Sequence, residues 1–92
     1  MDVQGFEWDD GNWPKCSKHG LSKEDIEFVF KGVPRTSLDP FPSEQRYRAV
    51  GRTIGGRFAF IVFTIRETQA GNLIRPISAR YMHAQEVQDH GH

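Results

Sequence analysis

The sequence predicts an α+β fold with N-terminal helices, a four-stranded antiparallel sheet and a short C-terminal helix, in one domain over residues 1–92. Three observations predict it. Ile26, Val29 and Phe30 recur at helical spacing behind Ser22, so one stripe of that segment faces a core. From Arg35 to Tyr81 the pattern changes to β-rich runs broken by turn residues. Inside that stretch Phe58, Phe60, Ile61, Val62, Phe63 and Ile65 fall within eight positions, enough apolar bulk to seed one core and no second.

Taken in order, Gly5 to Trp8 reads as a short extended lead-in. Asp9 is a good N-cap for a first helix running to His19, with Asp10 favoured in its first turn by the helix dipole. Gly11 and Pro14 weaken that helix, and Gly20 suits the left-handed position after it. Ser22 opens a second helix, with Asp25 standing in for the capping-box glutamate, and Gly32 with Val33-Pro34 ends it. A strand starts at Arg35, and Asp39 to Ser43 form a turn-rich break. Gln45 to Ile54 and Arg57 to Arg66 flank Gly55-Gly56, a two-residue hairpin signal. The second of these strands is apolar on both faces, which marks it as central. Ala70-Gly71-Asn72 turns the chain into a last strand, Leu73 to Tyr81, where Pro76 requires an edge or a bulge. Met82 to His90 can form one terminal helix. Helices then cover one sheet face and leave the other partly open.

Composition bounds the function. The single cysteine, Cys16, excludes an internal disulfide, and no apolar run reaches the roughly 20 residues of a membrane span. The acidic N-terminus lacks the features of a signal peptide, so a cytoplasmic location is expected. Net charge is zero, which taken alone argues against nucleic-acid binding, but the charges are segregated. Residues 1–30 hold seven acids against three lysines, whereas residues 31–80 hold nine bases against three acids. Eight of those nine bases are arginine, the side chain suited to bidentate phosphate contact.

The arginines make the sheet the first place to look for chemistry. Arg46 and Arg48 share one strand face, Arg52 follows across Gly51, and Arg57 begins the partner strand. Arg75 and Arg80 come from the last strand. Converging, two or three of them form a phosphate clamp; dispersed, each pairs with a carboxylate such as Glu44 or Glu67. Pairing of that kind is the expectation for Arg57. His19 is the one histidine inside the ordered pattern, and it either moves protons or closes a helix C-terminus. Lys18 beside it offers the same choice between a phosphate and a helix end. Tyr47, Tyr81, Trp8 and Trp13 are candidates for donation or base stacking that more often pack, and Trp8 is expected in the core. Cys16 has no partner pattern for a thiol nucleophile, and neither a metal-ligand spacing nor a glycine-rich phosphate loop is present, so no cofactor is expected.

These residues together resemble the BrnT toxin family. The likeness is carried by Phe6-Glu-Trp-Asp9, Gly11-Asn12, Lys15-Cys16, Lys18-His19-Gly20, Arg46, Gly51-Arg52-Thr53, Phe60 to Thr64 and Ile74 to His83, in order over almost the whole chain. The resemblance implies a RelE/ParE-like fold and a ribonuclease that cuts RNA without a metal and arrests translation. It also implies neutralisation by a BrnA-like antitoxin, a ribbon-helix-helix protein through which alone the toxin meets DNA. Carried over onto matching positions, it implies His19, Arg80, Arg52 and Lys18 as catalytic residues, with Arg46 and Arg75 binding RNA. Arg48 lies outside the matching segments and joins the RNA-binding set through its place on the Arg46 strand face. The competing reading is a non-catalytic nucleic-acid- or protein-binding module, a ParE-like inhibitor using the same basic face.

Overall fold

Ser22 starts the one long helix through reciprocal bonds. Its hydroxyl accepts from the Asp25 backbone N–H at 3.0 Å, and the Asp25 carboxylate accepts from the Ser22 N–H at 3.1 Å. Helix α1 then spans Lys23–Lys31 and buries Ile26 and Val29 on one stripe. In the computed structural model, which describes residues 3–40 and 43–90, the order begins with β1 (Gly5–Phe6), a 3-10 turn (Lys15–Ser17) and α1. There follow β2 (Arg35–Asp39), β3 (Arg46–Arg52), β4 (Phe58–Thr68), β5 (Gly71–Tyr81) and α2 (Ala84–His90). The turn expected over Asp39 to Ser43 includes Phe41 and Pro42, which lie outside the described residues.

The expected layout is corrected in two respects. The sheet has five strands in the order β1-β5-β4-β3-β2, and it is mixed because β1 runs parallel to β5. Two residues of β1, Gly5 and Phe6, pair with Leu73 and Ile74, a segment too short to carry a period-2 signal. The N-terminal helices also reduce to α1 alone. Between Asp9 and Gly20 the backbone bonds step through successive turns, Trp13 to Asp9, Cys16 to Asn12 and Ser17 to Pro14. Pro14 has no N–H to donate and disfavours helical geometry at Trp13, so the first helix fails and a 3-10 turn takes its place.

The hairpin between β3 and β4 forms with a longer loop than Gly55-Gly56 alone. The Gly56 N–H closes a turn on the Thr53 carbonyl at 2.9 Å, and Gly56 takes φ +87°, a conformation that favours glycine. On β4 the inward set is Ala59, Ile61 and Phe63, all buried, packing with Ala49, Ile74 and Ala79 against Leu21, Ile26, Val29 and Cys16. Phe63 is caught between aromatic neighbours, with Phe30 edge-on at 4.9 Å and Tyr47 stacked at 5.5 Å. Trp8 packs partly buried against this core, and its indole N–H donates to Glu27 at 2.9 Å.

β5 bulges at Pro76. Its register to β4 jumps from Ser78 opposite Val62 to Pro76 opposite Phe63, which leaves Ile77 over. Asn12, 1% exposed, reaches this bulge from the N-terminal segment. Its amide nitrogen donates to the carbonyls of Pro76 and Glu7, each at 2.9 Å, and its oxygen accepts from the Asp9 N–H at 2.9 Å. Arg75 adds a second tie, bonding the Asp9 carboxylate through both terminal nitrogens at 2.9 and 3.0 Å and Glu7 at 3.1 Å. Together they lay the 3-10 turn along β5.

Truncating Asn12 therefore strands three backbone groups at once, the Pro76 carbonyl buried and the Glu7 carbonyl and Asp9 N–H partly so. Asn12→Ala should lower unfolding free energy by about 2–3 kcal/mol, measured by urea denaturation, while the exposed Lys31→Ala should change it by about 0.5 kcal/mol or less. A loss below about 0.5 kcal/mol for Asn12→Ala would show that the bridge carries no stability.

Candidate active site

One sheet face packs on α1; the other carries the long basic side chains. Register sets which ones meet. Arg35 lies opposite Val50, Val50 opposite Phe60, and Phe60 opposite Arg80, a single row across four strands. Arg48 stands on the same face, opposite Ser37 and Val62. The Phe60 ring is flanked by two guanidiniums, Arg80 at 4.8 Å and Arg48 at 5.7 Å from its centroid.

At the β5 end of this row the 3-10 turn brings in His19. His19 and Arg80 line two adjoining clefts, one shared with Phe60, Ser78 and Ala79, the other a space of about 660 Å³ shared with Arg57, Tyr81 and His83. A histidine from the N-terminal segment and an arginine from the last strand are thus neighbours. His19 is exposed, so its imidazole is accessible from the cleft. Gly20 follows it at φ +94°, a left-handed conformation that lets the chain turn away from the cleft into α1.

The other expected residues are placed less centrally. Lys18 is exposed and ends the 3-10 turn through its backbone N–H on Lys15, and it lines neither cleft. Arg52 donates to the Gly56 carbonyl at 2.9 Å and stacks over Phe58 at 4.3 Å, one row from Arg80 on the same face. Arg46 and Arg48 pair through Nε with Glu44 at 2.8 Å and Asp39 at 2.7 Å. Arg75 is the most committed, its side chain only 16% exposed and engaged by Glu7 and Asp9. That pairing raises the Arg75 pKa and holds the Asp9 carboxyl below its usual range. Burial pushes the Cys16 thiol up, away from the reactive thiolate.

Three cleft residues were not among the expected site: Arg57, Tyr81 and His83. Among the described residues Arg57 pairs with no carboxylate. It lies over the Tyr81 ring at 3.8 Å, and among the described residues its guanidinium has no hydrogen-bond partner. The β4–β5 register was the missing signal, because Tyr81 opposite Ala59 makes Arg57 its diagonal neighbour. Arg80 in turn is gripped by α2, both terminal nitrogens bonding Glu86 at 2.7 Å. Glu86 also accepts from the His83 backbone N–H at 3.0 Å. Among the described residues no group of three or more His, Cys, Asp or Glu side chains is placed to hold a metal ion. No helix among them is long and apolar enough to cross a membrane.

Imidazoles beside guanidiniums can transfer protons and hold the charge of a phosphodiester, the equipment of a small ribonuclease. Residues 8–86 match the family described as "Ribonuclease toxin, BrnT, of type II toxin-antitoxin system", and the chain belongs to that family. Membership in such a system implies a cognate antitoxin as partner. No curated protein matches the sequence.

The Arg80–Glu86 pair has a measurable signature. Arg80 first, then the His83 N–H, hold the Glu86 carboxyl down at about 2, below its ordinary value of 4.5. A lowered carboxylate pKa stabilises the folded form above pH 4.5, and that contribution fades as pH falls through about 2. An NMR titration should place the Glu86 midpoint near 2 and return it towards 4.5 in Arg80→Ala; an ordinary midpoint in the unaltered protein would mean α2 is not docked on Arg80.

Proposed function

We propose that the chain is an endoribonuclease that works without a metal, cutting RNA in the His19–Arg80 cleft and so arresting translation and growth. The observation that carries this reading is the shared cleft: His19 and Arg80, from opposite ends of the chain, line the same two spaces at the β5 end of the arginine row. The ribose 2′-hydroxyl attacks the adjacent phosphorus while His19 takes its proton. The new 2′-O–P bond forms as the P–O5′ bond breaks, leaving a cyclic phosphate and a 5′-hydroxyl. Attacking and leaving oxygens lie on opposite sides of phosphorus in an in-line displacement. A second proton-transfer group therefore has to supply the leaving oxygen. His83, lining the cleft with His19, is suited to that role.

Arg57 and Arg80 stabilise charge on the phosphate oxygens, Arg80 exchanging Glu86 for substrate. Arg52 and Lys18 stand at the margin and add positive potential rather than direct contacts. Arg46 and Arg48 hold RNA across the sheet, and Arg75 supports the fold of the N-terminal segment instead. The reaction takes place in the cytoplasm, and the antitoxin that silences it is a BrnA-like ribbon-helix-helix protein, the toxin's only link to DNA.

Cleavage of a defined RNA, run with excess EDTA and paired with thermal melting, tests this. His19→Ala should slow cleavage by about 10²–10⁴-fold, and Arg80→Ala or Arg57→Ala by about 10²–10³-fold. His19→Ala should move stability by only about half a kcal/mol. Arg66→Ala, whose partner is Glu7 on the surface, should cut at the normal rate. Normal cutting by His19→Ala, or loss of all cutting in EDTA restored by magnesium, would defeat the mechanism.

A further inference from the structure

The row Arg35–Val50–Phe60–Arg80 continues past the candidate active site. On the far side of Phe60 lies a depression of about 270 Å³ lined by Arg35, Thr36, Ser37, Arg48, Val50 and Phe60. Val50 and Phe60 give it an apolar floor and wall. Ser37, exposed on the same face, brings a hydroxyl that can donate and accept. Arg35 and Arg48 bring positive charge. Asp39 holds Arg48 through Nε, and among the described residues the two terminal nitrogens of Arg48 have no hydrogen-bond partner. An apolar seat for a ring, a hydroxyl for its edge and cations for a backbone match one nucleotide of a single strand. Phe60 is the partition between this depression and the catalytic cleft, since it lines both.

We propose that this depression is a second RNA subsite, holding a nucleotide of the same strand whose scissile phosphate lies between His19 and Arg80. The proposal rests on the ribonuclease reading for its ligand. Arg35 and Arg80 are three strand spacings apart, about 14 Å at about 4.8 Å each. A stacked strand covers that in about four steps of about 3.4 Å, and a more extended one in fewer. RNA then runs across the strands from β5 towards β2. A dinucleotide bound in the cleft fails to reach the subsite, and a hexanucleotide reaches it.

Binding of uncleavable 2′-O-methyl oligonucleotides, followed by fluorescence anisotropy against salt concentration, separates the two sites. The unaltered protein should hold the hexanucleotide at least about tenfold tighter than the dinucleotide. Arg35→Ala should remove most of that gain and flatten the log–log salt slope by about one, leaving dinucleotide affinity unchanged. Val50→Trp, which fills the depression without touching a charge, should lower hexanucleotide affinity by about tenfold with the salt slope intact. Circular dichroism confirms folding of both variants, and Arg35→Ala decides the matter should Val50→Trp unfold. Equal affinity for the two lengths, or hexanucleotide binding that neither variant alters, would overturn the subsite. Length-dependent binding lost in Arg35→Ala, with no cleavage of the ordinary RNA by the unaltered protein, would keep the subsite and refute the ribonuclease reading.

Discussion

The buried amide of Asn12 is the contact on which the arrangement depends. The segment from Asp9 to Gly20 has no α-helix, only the 3-10 turn at Lys15–Ser17, so local hydrogen bonding alone does not define its path. Asn12 supplies the missing specification by joining Glu7, Asp9 and the bulged strand at Pro76 in one set of bonds. An apolar residue of similar size would leave the Pro76 carbonyl unpaired in a buried place, which is more costly than the net worth of the bond. The β5 bulge belongs to the same device, because it presents the Pro76 carbonyl where Asn12 can reach it. From there the 3-10 turn runs beside β5 and delivers His19 next to Arg80. Packing of Leu21, Ile26 and Val29 behind the sheet then secures the segment on its other side.

Charge is organised on the same principle of local neutralisation. The formal sum is zero, yet most of the arginines stand on one sheet face and several are met by a carboxylate of the chain: Glu44, Asp39, Glu86, or the Glu7 and Asp9 pair. Partly exposed pairs of this kind are worth little and exchange readily for another anion. A phosphate backbone bears one negative charge per nucleotide and can replace these carboxylates one for one, as α2 would release Arg80 to a scissile phosphate. Arg57 and Phe60 differ in kind: the one is stacked on Tyr81 and, among the described residues, meets no carboxylate, and the other gives the face an aromatic wall between its cations. Arg75 lies outside this exchange, since its two acidic partners and its low exposure tie it to the N-terminal segment.

Much of the strand pattern was legible because its signals are local. Ser22 with Asp25, the double-faced apolar run of β4, the glycines after Ile54 and the proline at the bulge each act over a few residues. What failed was non-local. β1 exists only because β5 offers it an edge, and no two-residue segment carries periodicity that reveals this. The first helix was overwritten by Pro14 and by the long-range bond of Asn12 to Pro76, both visible as residues though not as a combination. For the candidate site, the family resemblance and the arginine pattern pointed to His19 and Arg80, which line one cleft, but not to Arg57, Tyr81 and His83 beside them. That Arg57 meets Tyr81, that Arg80 is held by Glu86, and that Arg75 is engaged by Glu7 and Asp9 depend on strand register and on where α2 and the N-terminal segment fold back. None of these follows from residue spacing.

On the reading proposed above, His19 and Arg80 act on one phosphate and not at two independent places. A double-mutant cycle measures this directly, comparing single-turnover RNA cleavage by the unaltered protein, His19→Ala, Arg80→Ala and the double variant. Residues that serve one transition state are strongly non-additive. Action on one phosphate should leave the double variant slower than the slower single variant by no more than about threefold. A double variant slowed by the product of the two single effects would contradict it, and would separate the histidine from the arginine in the chemistry.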